Sequence, residues 1–280
     1  MFGYCEEFEI EFGKDVSEFS KKEIETMYGS HKKFKTFNTL IVKHSQYSRY
    51  ARWFNKNNKY NLIKRDDLTA FVNVEYRNER IVLREDVLRV VDSMINYMDK
   101  LLILGIFEGL KGNRFEDFIN IRIHDVDFKT HTIHIGSRPM KYIKISKELA
   151  DIIDRCRTEK VFTSVSGYER YYDNSDYIYK YNTKKSDDDI RNAESIELSH
   201  KIRTHYAYAM TNTIIDNVSI VDLQESGKIW FVNQQADEDG CTPLEWACSK
   251  KAPQIICNQY GMKFYRKSLF VKNILYDANF

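Results

Sequence analysis

The chain has 280 residues, and its 43 lysines and arginines nearly balance its 41 aspartates and glutamates, so the formal charge of +2 points to no class of partner. Hydrophobic residues make up 42% of the sequence and aromatic residues 14%, whereas there are only 11 glycines and 3 prolines. This composition excludes a disordered or low-complexity chain and favours a helix-rich globular protein with short connections.

Nothing in the sequence indicates a membrane span, a secretory signal or a metal centre. The longest apolar run, residues 101–110, is about half the length that crosses a bilayer, and Glu108 interrupts it. Residues 1–11 carry acidic side chains where a signal peptide would carry Lys or Arg. The five cysteines are scattered and form no CxxC pair. We therefore expect a cytoplasmic protein with reduced thiols and no metal, cofactor or membrane partner.

Charge is distributed unevenly along the N-terminal part of the chain. Residues 1–25 hold eight acidic residues and three lysines, whereas residues 26–65 hold no Asp or Glu. The second stretch contains ten basic residues: Lys32, Lys33, Lys35, Lys43, Arg49, Arg52, Lys56, Lys59, Lys64 and Arg65. A long run of one sign indicates a surface that binds a polyanion.

A helix is predicted to begin at Ser20 and to end by Gly29. Ser20 and Glu23 have the spacing of a capping box, in which each side chain bonds the backbone N–H of the other residue. Phe19 and Ile24 have the spacing of a hydrophobic staple across the same turn. The two local signals together indicate a helix start.

A second helix is predicted from about Asn38, and its two faces differ. The stripe expected to pack, at 3.6-residue spacing, contains Leu40, His44, Tyr47, Ala51 and Phe54. The opposite face contains Ser45, Arg49, Arg52 and Lys56. Because a solvated face normally mixes both signs of charge, a purely cationic face favours nucleic acid over a membrane surface. The predicted DNA contacts of this region are Lys32, Lys33, Lys35, Arg49, Arg52 and Lys56.

A domain boundary is predicted near residue 80, between a helical DNA-binding domain over residues 1–80 and a larger domain over residues 81–280. The larger domain should open with a helix from residues 83–86. Its predicted core stripe contains Val87, Leu88, Val91, Ile95 and Met98. A last short helix and a polar stretch are expected before the boundary.

The middle of the chain alternates helices with turns. A buried helix is predicted over residues 101–107, a glycine-bearing turn over residues 108–114 and a short helix over residues 115–120. Arg114 therefore stands at a junction between turn and helix. This junction is the first landmark of a possible site.

A β-hairpin is predicted next, because apolar and polar residues alternate over residues 132–135 and 141–145 around a basic tip at residues 136–139. A helix from Ser146 should follow it. The Tyr-, Asp- and Lys-rich stretch over residues 167–189 is interpreted as a surface segment whose tyrosines could stack on bases.

His200 and Arg203 are one turn apart on a further predicted helix and share a face. The core side of that helix is expected to contain Ile202, Tyr206, Met210 and Ile214. A His and an Arg at this spacing are by themselves an ordinary surface pair. Their position downstream of Arg114 gives them significance.

Taken in order, these segments resemble the tyrosine recombinase (phage integrase) family. Residues 108–122 resemble its first conserved box, with Arg114 as the arginine and Asp117 as the acid three residues later. His200 and Arg203 match its HxxR box. Residues 220–228 resemble the helix and the leucine-glycine-histidine phrase that follow, with Lys228 in place of the histidine.

The resemblance implies a mainly α fold with a small antiparallel β-sheet (α+β), in which a helical core-binding domain precedes an integrase-like domain. It also implies a phosphate cradle made by Arg114, His200 and Arg203, since arginine donates two parallel hydrogen bonds to phosphate oxygens. In this family a hairpin lysine protonates the leaving oxygen, and a tyrosine attacks the phosphorus.

The sequence departs from the family pattern at the last two positions. Only Arg138 and Lys141 are near the place of the hairpin lysine, and arginine is a poor proton donor. Residues 233–240, where the tyrosine is expected, contain none. The later tyrosines Tyr260, Tyr265 and Tyr276 could serve only if the intervening segment is an insertion.

The sequence is therefore interpreted as a degenerate member that binds double-stranded DNA at operator-like sites without catalysis. It resembles the integrase-derived lysogeny repressors of SPβ-type phages, which implies a phage or prophage repressor acting in a bacterial cytoplasm. The predicted DNA contacts of the larger domain are Arg114, Arg138, Lys141, His200, Arg203 and Lys228.

Three alternatives stay open. In an active recombinase, Lys141 would be the acid and Tyr260 or Tyr265 the nucleophile. In a protein-interaction module, Trp230, Phe231, Trp246 and the Tyr-rich segment over residues 168–181 would contact a partner. Arg114 and Arg203 could instead form internal salt bridges, for Arg114 with Asp117.

The C-terminal region is expected to form one or two helices after residue 242. Basic residues follow in the tail, namely Lys263, Arg266, Lys267 and Lys272. In the family the last helix often packs on a neighbouring protomer, so the resemblance implies self-association through this segment. Tyr260, just before Gly261, could also be a core residue that ends its helix.

Overall fold

A computed structural model gives the architecture of the chain, which divides into two compact units, residues 1–80 and 81–280. The structure describes the following residues, and every statement below concerns them: 5–30, 34, 37–54, 63, 65–72, 80–112, 115–136, 142–164, 166–172, 175–180, 195–211, 213–215 and 217–262.

The described residues of the first unit form three α-helices: α1 (Glu6–Phe12), α2 (Lys21–Ser30) and α3 (Phe37–Phe54). Short 3₁₀ turns form at Val16–Glu18 and Arg65–Phe71. The capping box before α2 is present, since the Ser20 backbone N–H donates to Glu23 Oε2 at 2.6 Å and the Glu23 N–H donates to Ser20 Oγ at 3.4 Å. The predicted helix start is thus confirmed.

Helix α3 buries one face, as its spacing predicts. Leu40, Tyr47 and Ala51 lie in the core of the unit, and the side chains of Arg49 and Arg52 are exposed on the helix. The placement of Phe54 in the core stripe was wrong, because its side chain is 47% exposed. It is the last residue of α3 and packs on the ring of Tyr50, with ring centroids 6.1 Å apart.

The second unit is built around one buried helix. It begins with α4 (Arg84–Ser93) and α5 (Tyr97–Phe107), and every residue of α5 from Leu101 to Phe107 is buried. The remaining helices are α6 (Glu116–Asn120), α7 (Lys147–Thr158), α8 (Ser195–Met210), α9 (Ile220–Asp239), α10 (Pro243–Cys248) and α11 (Ala252–Gln259). Because α4, α7, α8 and α9 all pack on α5, its residues 101–107 present no polar side chain.

Two small antiparallel sheets accompany the helices. Strands β1 (Val126–Asp127), β2 (Thr132–His134) and β3 (Tyr142–Lys144) form one sheet in that order, with Ile133 opposite Ile143. Strands β4 (Val161–Thr163) and β5 (Glu169–Tyr171) form the other. The predicted hairpin and the predicted fold class, mainly α with a small antiparallel sheet, are confirmed.

Two predicted core positions were wrong because the periodicity was extended past the end of a helix. The chain leaves the helical conformation at Met94, so Ile95 lies between α4 and α5 and is 68% exposed. Helix α8 ends at Met210, and Ile214 is likewise 68% exposed. Ile202 and Tyr206 lie in the core as predicted.

The segment interpreted as a surface excursion is partly internal. Tyr168 and Tyr171 are exposed, but Ile178, Tyr179 and Lys180 are buried in the second unit. The Lys180 ammonium donates to the carbonyl oxygen of Arg157 at 3.1 Å, near the end of α7. The polar composition of the segment therefore concealed a buried stretch.

The aromatic residues assigned to partner contacts in the interaction-module alternative also belong to the core. Phe231 and Trp246 are buried with their rings 6.4 Å apart, and half-buried Trp230 packs on Phe107. That part of the alternative was wrong, since these rings serve packing between α5, α9 and α10.

None of the helices among the described residues is long and apolar enough to span a membrane.

Candidate nucleic-acid interface

The glycine-bearing turn that follows α5 is fastened to the start of α7. Glu108 is buried, and its carboxylate accepts hydrogen bonds from the Ser146 backbone N–H at 2.8 Å and hydroxyl at 2.5 Å. Ser146 also caps α7 by accepting from the Leu149 N–H. Burial raises the pKa of the Glu108 carboxyl, although both Ser146 bonds and Arg84 act in the opposite direction. This contact holds the turn against the helix.

The turn ends at Gly112, where only glycine fits. Its φ is +63°, and a Cβ there would lie 2.4 Å from Oδ2 of the buried Asp117. Phe115 has a φ of +66° and a buried ring, which is uncommon for a residue with a side chain. The backbone therefore has a left-handed conformation at Gly112 and at Phe115, on either side of Arg114. Arg114 itself lies outside the described residues.

Lys111 is the site residue that the sequence analysis missed. Its ammonium donates to Gln224 Oε1 at 3.3 Å and lies 5.6 Å from the centroid of the Phe115 ring. Burial lowers the pKa of Lys111, and the nearby positive charges of Lys228 and Arg203 lower it further. The only signal in the sequence was a charged residue between the apolar run and Gly112.

Helix α9 brings Lys228 to the same place. The Lys228 side chain is buried, its ammonium bonds Glu225 Oε1 at 2.6 Å, and it lies 5.8 Å from the centroid of the Tyr260 ring. Helix α9 can approach the end of α5 this closely only because residue 227 is glycine. A Cβ at Gly227 would lie 1.7 Å from the Phe107 carbonyl oxygen. In the structure the Lys228 ammonium is buried and paired with Glu225. Its predicted contact with DNA stays a prediction.

Helix α8 presents the HxxR residues to solvent. His200 and Arg203 are both exposed, and the Thr204 hydroxyl donates to the His200 carbonyl oxygen at 3.0 Å. Arg203 is close enough to Lys111 to lower its pKa. Lys111 and Lys228 are thus both bonded to side chains of α9, Gln224 and Glu225 respectively, and the charge of Arg203 contributes to the lowered pKa of Lys111.

Tyr260 follows the last turn of α11 and lies in the core. Its hydroxyl donates to the Phe107 carbonyl oxygen at 3.1 Å, and its side chain is buried. The neighbouring Gln259 amide donates at 2.9 Å to the carbonyl oxygens of Glu108 and Lys144. Of the two interpretations that the sequence left open, this placement fits the core residue. A nucleophile would need a hydroxyl that can reach a DNA phosphate.

The remaining predicted site residues, and Tyr276, lie outside the described part of the chain: Lys32, Lys33, Lys35, Lys56, Arg138, Lys141 and Tyr265. Their roles stay predictions. Among the described residues, no group of His, Cys, Asp and Glu could hold a metal ion.

Removing the Tyr260 hydroxyl is expected to destabilise the protein by about 1–3 kcal/mol, because Tyr260→Phe leaves the buried Phe107 carbonyl without that donor. Chemical denaturation of the full chain measures the change. The matched control is Tyr171→Phe, whose ring is exposed and should change the free energy of unfolding by less than about 0.5 kcal/mol. Equal stability of the two variants would contradict the buried hydrogen bond.

The mainly helical architecture, the HxxR helix, the glycine-bearing turn and the small antiparallel sheet are the features that the sequence resemblance implied. Residues 81–279 match the family described as "MrpR, C-terminal catalytic domain", and the chain belongs to this family. Among solved structures, XerA recombinase is similar at 12% sequence identity and a TM-score of 0.41 over 97% of this chain and 84% of that chain. No curated protein matches the chain.

Proposed function

We propose that the chain is a sequence-specific, double-stranded DNA-binding protein that uses an integrase-like fold without strand transfer, and that it is a transcriptional repressor encoded by a phage or prophage. The observation that carries the proposal is that α9 holds two cations, Lys111 through its bond to Gln224 and Lys228 through its bond to Glu225, while the charge of Arg203 also lowers the pKa of Lys111. Like charges raise each other's energy, and a phosphate placed among them offsets that cost. Phosphate contacts position a protein on DNA without any need for catalysis.

The absence of strand transfer is supported by the place of Tyr260. A phosphotyrosyl intermediate requires a hydroxyl in line with the phosphorus, whereas the Tyr260 hydroxyl is bonded to the Phe107 carbonyl oxygen inside the core. A group of cations that binds a phosphate while Tyr260 is buried acts by holding DNA. Occupancy of an operator-like site is the simplest way for such a protein to regulate transcription.

The first unit supplies a second surface with the required charge. Arg49 and Arg52 are exposed on α3, and the sequence of this helix contains no Asp or Glu. Two separate basic surfaces suit a protein that contacts DNA over an extended site. Self-association through the C-terminal segment is part of the proposal and rests on the family resemblance alone.

The second candidate is an active site-specific recombinase. The word "catalytic" in the family description favours it. In that case Lys141 would protonate the leaving oxygen and Tyr265 would attack the phosphorus to form the covalent intermediate. This function requires a protein–DNA adduct, whereas the proposed function excludes one.

The two candidates are separated by one set of gels. Gel shifts on fragments of the source genome, each with a salt titration, are expected to show sequence-selective binding with a steep negative slope of log affinity against log salt. A denaturing gel with nicked suicide substrates is expected to show no covalent adduct. Tyr260→Phe and Tyr265→Phe serve as matched variants in both assays.

An adduct that disappears in Tyr265→Phe and persists in Tyr260→Phe would establish the recombinase. An adduct that depends on Tyr260 would contradict the structural placement of that hydroxyl. If no fragment binds at low salt, the proposal of DNA binding is wrong, and the protein-interaction module becomes the favoured hypothesis.

A further inference from the structure

A chain of partly buried hydrogen bonds joins α8 to the rest of the second unit. His205 Nε2 lies 2.5 Å from Asp99 Oδ1, and His205 Nδ1 is hydrogen bonded to the Tyr179 hydroxyl. The other carboxylate oxygen of Asp99 accepts from the Asn96 amide at 2.8 Å. One neutral tautomer of His205 satisfies both ring nitrogens, with Nε2–H donating to Asp99 and Nδ1 accepting from Tyr179.

The network extends to the second sheet. The Asn96 side chain accepts from the Thr163 backbone N–H at 2.8 Å and donates to the Thr163 carbonyl oxygen at 3.0 Å. Strand β4, the start of α5, the segment 175–180 and α8 therefore meet in one polar layer. Asp99 and Tyr179 are buried, so each bond replaces water that the groups have lost.

The apolar contacts of α8 alone do not define its rotation so sharply. Ile202, Tyr206 and Met210 form a stripe that the surrounding core covers, and hydrophobic contact is non-directional. A hydrogen bond is directional and weakens steeply when it is misaligned. A change of one residue in register turns a helix by about 100°, which would break both His205 bonds.

This rotation decides where the HxxR residues point. Arg203 is two residues before His205 on α8, and His200 is five residues before it. Asp99 lies on α5, which leads directly into the turn that bears Lys111. The Asp99–His205 bond therefore connects the helix that carries Arg203 with the helix that leads into the turn bearing Lys111.

We propose that Asp99, His205 and Tyr179 are positioning residues that fix the rotation of α8 and so direct Arg203 and His200 toward a DNA phosphate. The proposal rests on DNA binding, the proposed function. None of the three residues needs to contact DNA. They act through the orientation of α8, and the loss of their bonds removes phosphate contacts that other residues make.

The test compares His205→Phe with His205→Gln in the full-length protein. Gln keeps a donor for Asp99 and an acceptor for Tyr179, whereas Phe keeps only volume. Binding to a labelled mixed-sequence DNA duplex is measured between about 50 and 200 mM salt. His205→Phe is expected to flatten the log–log salt slope by about 0.9 to 1.8, the equivalent of one or two phosphate contacts, and His205→Gln is expected to restore most of it.

The control is Tyr206→Phe. Tyr206 also lies on α8, and its hydroxyl donates to the Val218 carbonyl oxygen, so the substitution lowers stability without breaking a bond of Asp99, His205 or Tyr179. It should keep the wild-type slope. Tyr179→Phe breaks only the outer bond and should give an intermediate slope, which keeps the proposal testable if His205→Phe does not fold. A double variant of His205→Phe with Arg203→Ala should lose no more slope than the larger single loss.

Equal slopes for wild type, His205→Phe and Tyr179→Phe would overturn the proposal while leaving DNA binding intact. Additive losses from His205→Phe and Arg203→Ala would also overturn it, because the two residues would then act independently. A wild-type protein that does not bind the duplex at all would overturn the proposed function and this inference with it.

Discussion

Replacing Gly227 with alanine is expected to destabilise the second unit by at least about 3 kcal/mol. The added Cβ would lie 1.7 Å from the Phe107 carbonyl oxygen and 2.7 Å from its carbonyl carbon. These are backbone atoms on the buried helix α5, so no side chain can move aside to admit the methyl group. Helices α5 and α9 must separate, and the core between them opens.

The control for this variant is Gly29→Ala in α2. A Cβ at Gly29 would meet no atom within 4 Å. Alanine is the better helix former by up to about 1 kcal/mol, so Gly29→Ala should be neutral or stabilising. Chemical denaturation followed by circular dichroism measures both variants. Unchanged stability of Gly227→Ala would contradict the close contact of the two helices.

The Gly227 contact also explains how the site is assembled. Because α9 approaches the end of α5 so closely, the next residue, Lys228, is brought to the turn that carries Lys111. A larger residue at position 227 would move Lys228 away from that turn. Packing and charge at the site therefore depend on the same short stretch of α9.

Local signals predicted the elements well. The Ser20 capping box, the hairpin over residues 132–145 and the helix start at Ser146 each depend on residues that are close in the sequence. The errors arose where a periodic pattern was continued past a helix end, as at Ile95 and Ile214. In both places the chain changes direction at a residue with no Gly or Pro signal.

The candidate site was only partly predictable, because its contacts link distant parts of the chain. The HxxR spacing identified Arg203, but nothing local to Lys111 indicates that Gln224 and Lys228 lie beside it. Likewise, the bond of His205 to Asp99 spans 106 residues. A family resemblance identifies residues at known motif positions. It does not identify residues such as Lys111 and His205, whose partners are distant in the sequence.

Replacing Lys111 with methionine is expected to weaken DNA binding by about 10- to 100-fold, which corresponds to the roughly 1.5–3 kcal/mol of a hydrogen bond to a charged group. The salt slope should fall by about 0.9 if one phosphate contact is lost. Folding stability should not fall in parallel, since the substitution relieves repulsion from Lys228 and Arg203. The exposed Arg89, paired with Asp86 on α4, supplies the control Arg89→Ala, which should bind like wild type.

The pKa of Lys111 gives this prediction a pH dependence of known sign. Burial and the neighbouring cations lower that pKa below 10.5 in the free protein, and a bound phosphate favours the protonated form. Wild-type affinity should therefore fall as the pH rises through the lowered pKa, because binding must then restore a proton. The free energy of unfolding should change the opposite way, since a buried lysine that is penalised when charged gains stability on losing its proton.

Lys111→Arg tests this sign directly, because arginine stays protonated across the range. Its DNA affinity should be close to wild type near neutral pH and should decline less at alkaline pH. Fluorescence anisotropy on one duplex, at matched ionic strength and several alkaline pH values, measures both profiles. Parallel profiles for wild type and Lys111→Arg would show that the Lys111 proton does not contribute to binding, and the site would then depend on Arg203 and its neighbours instead.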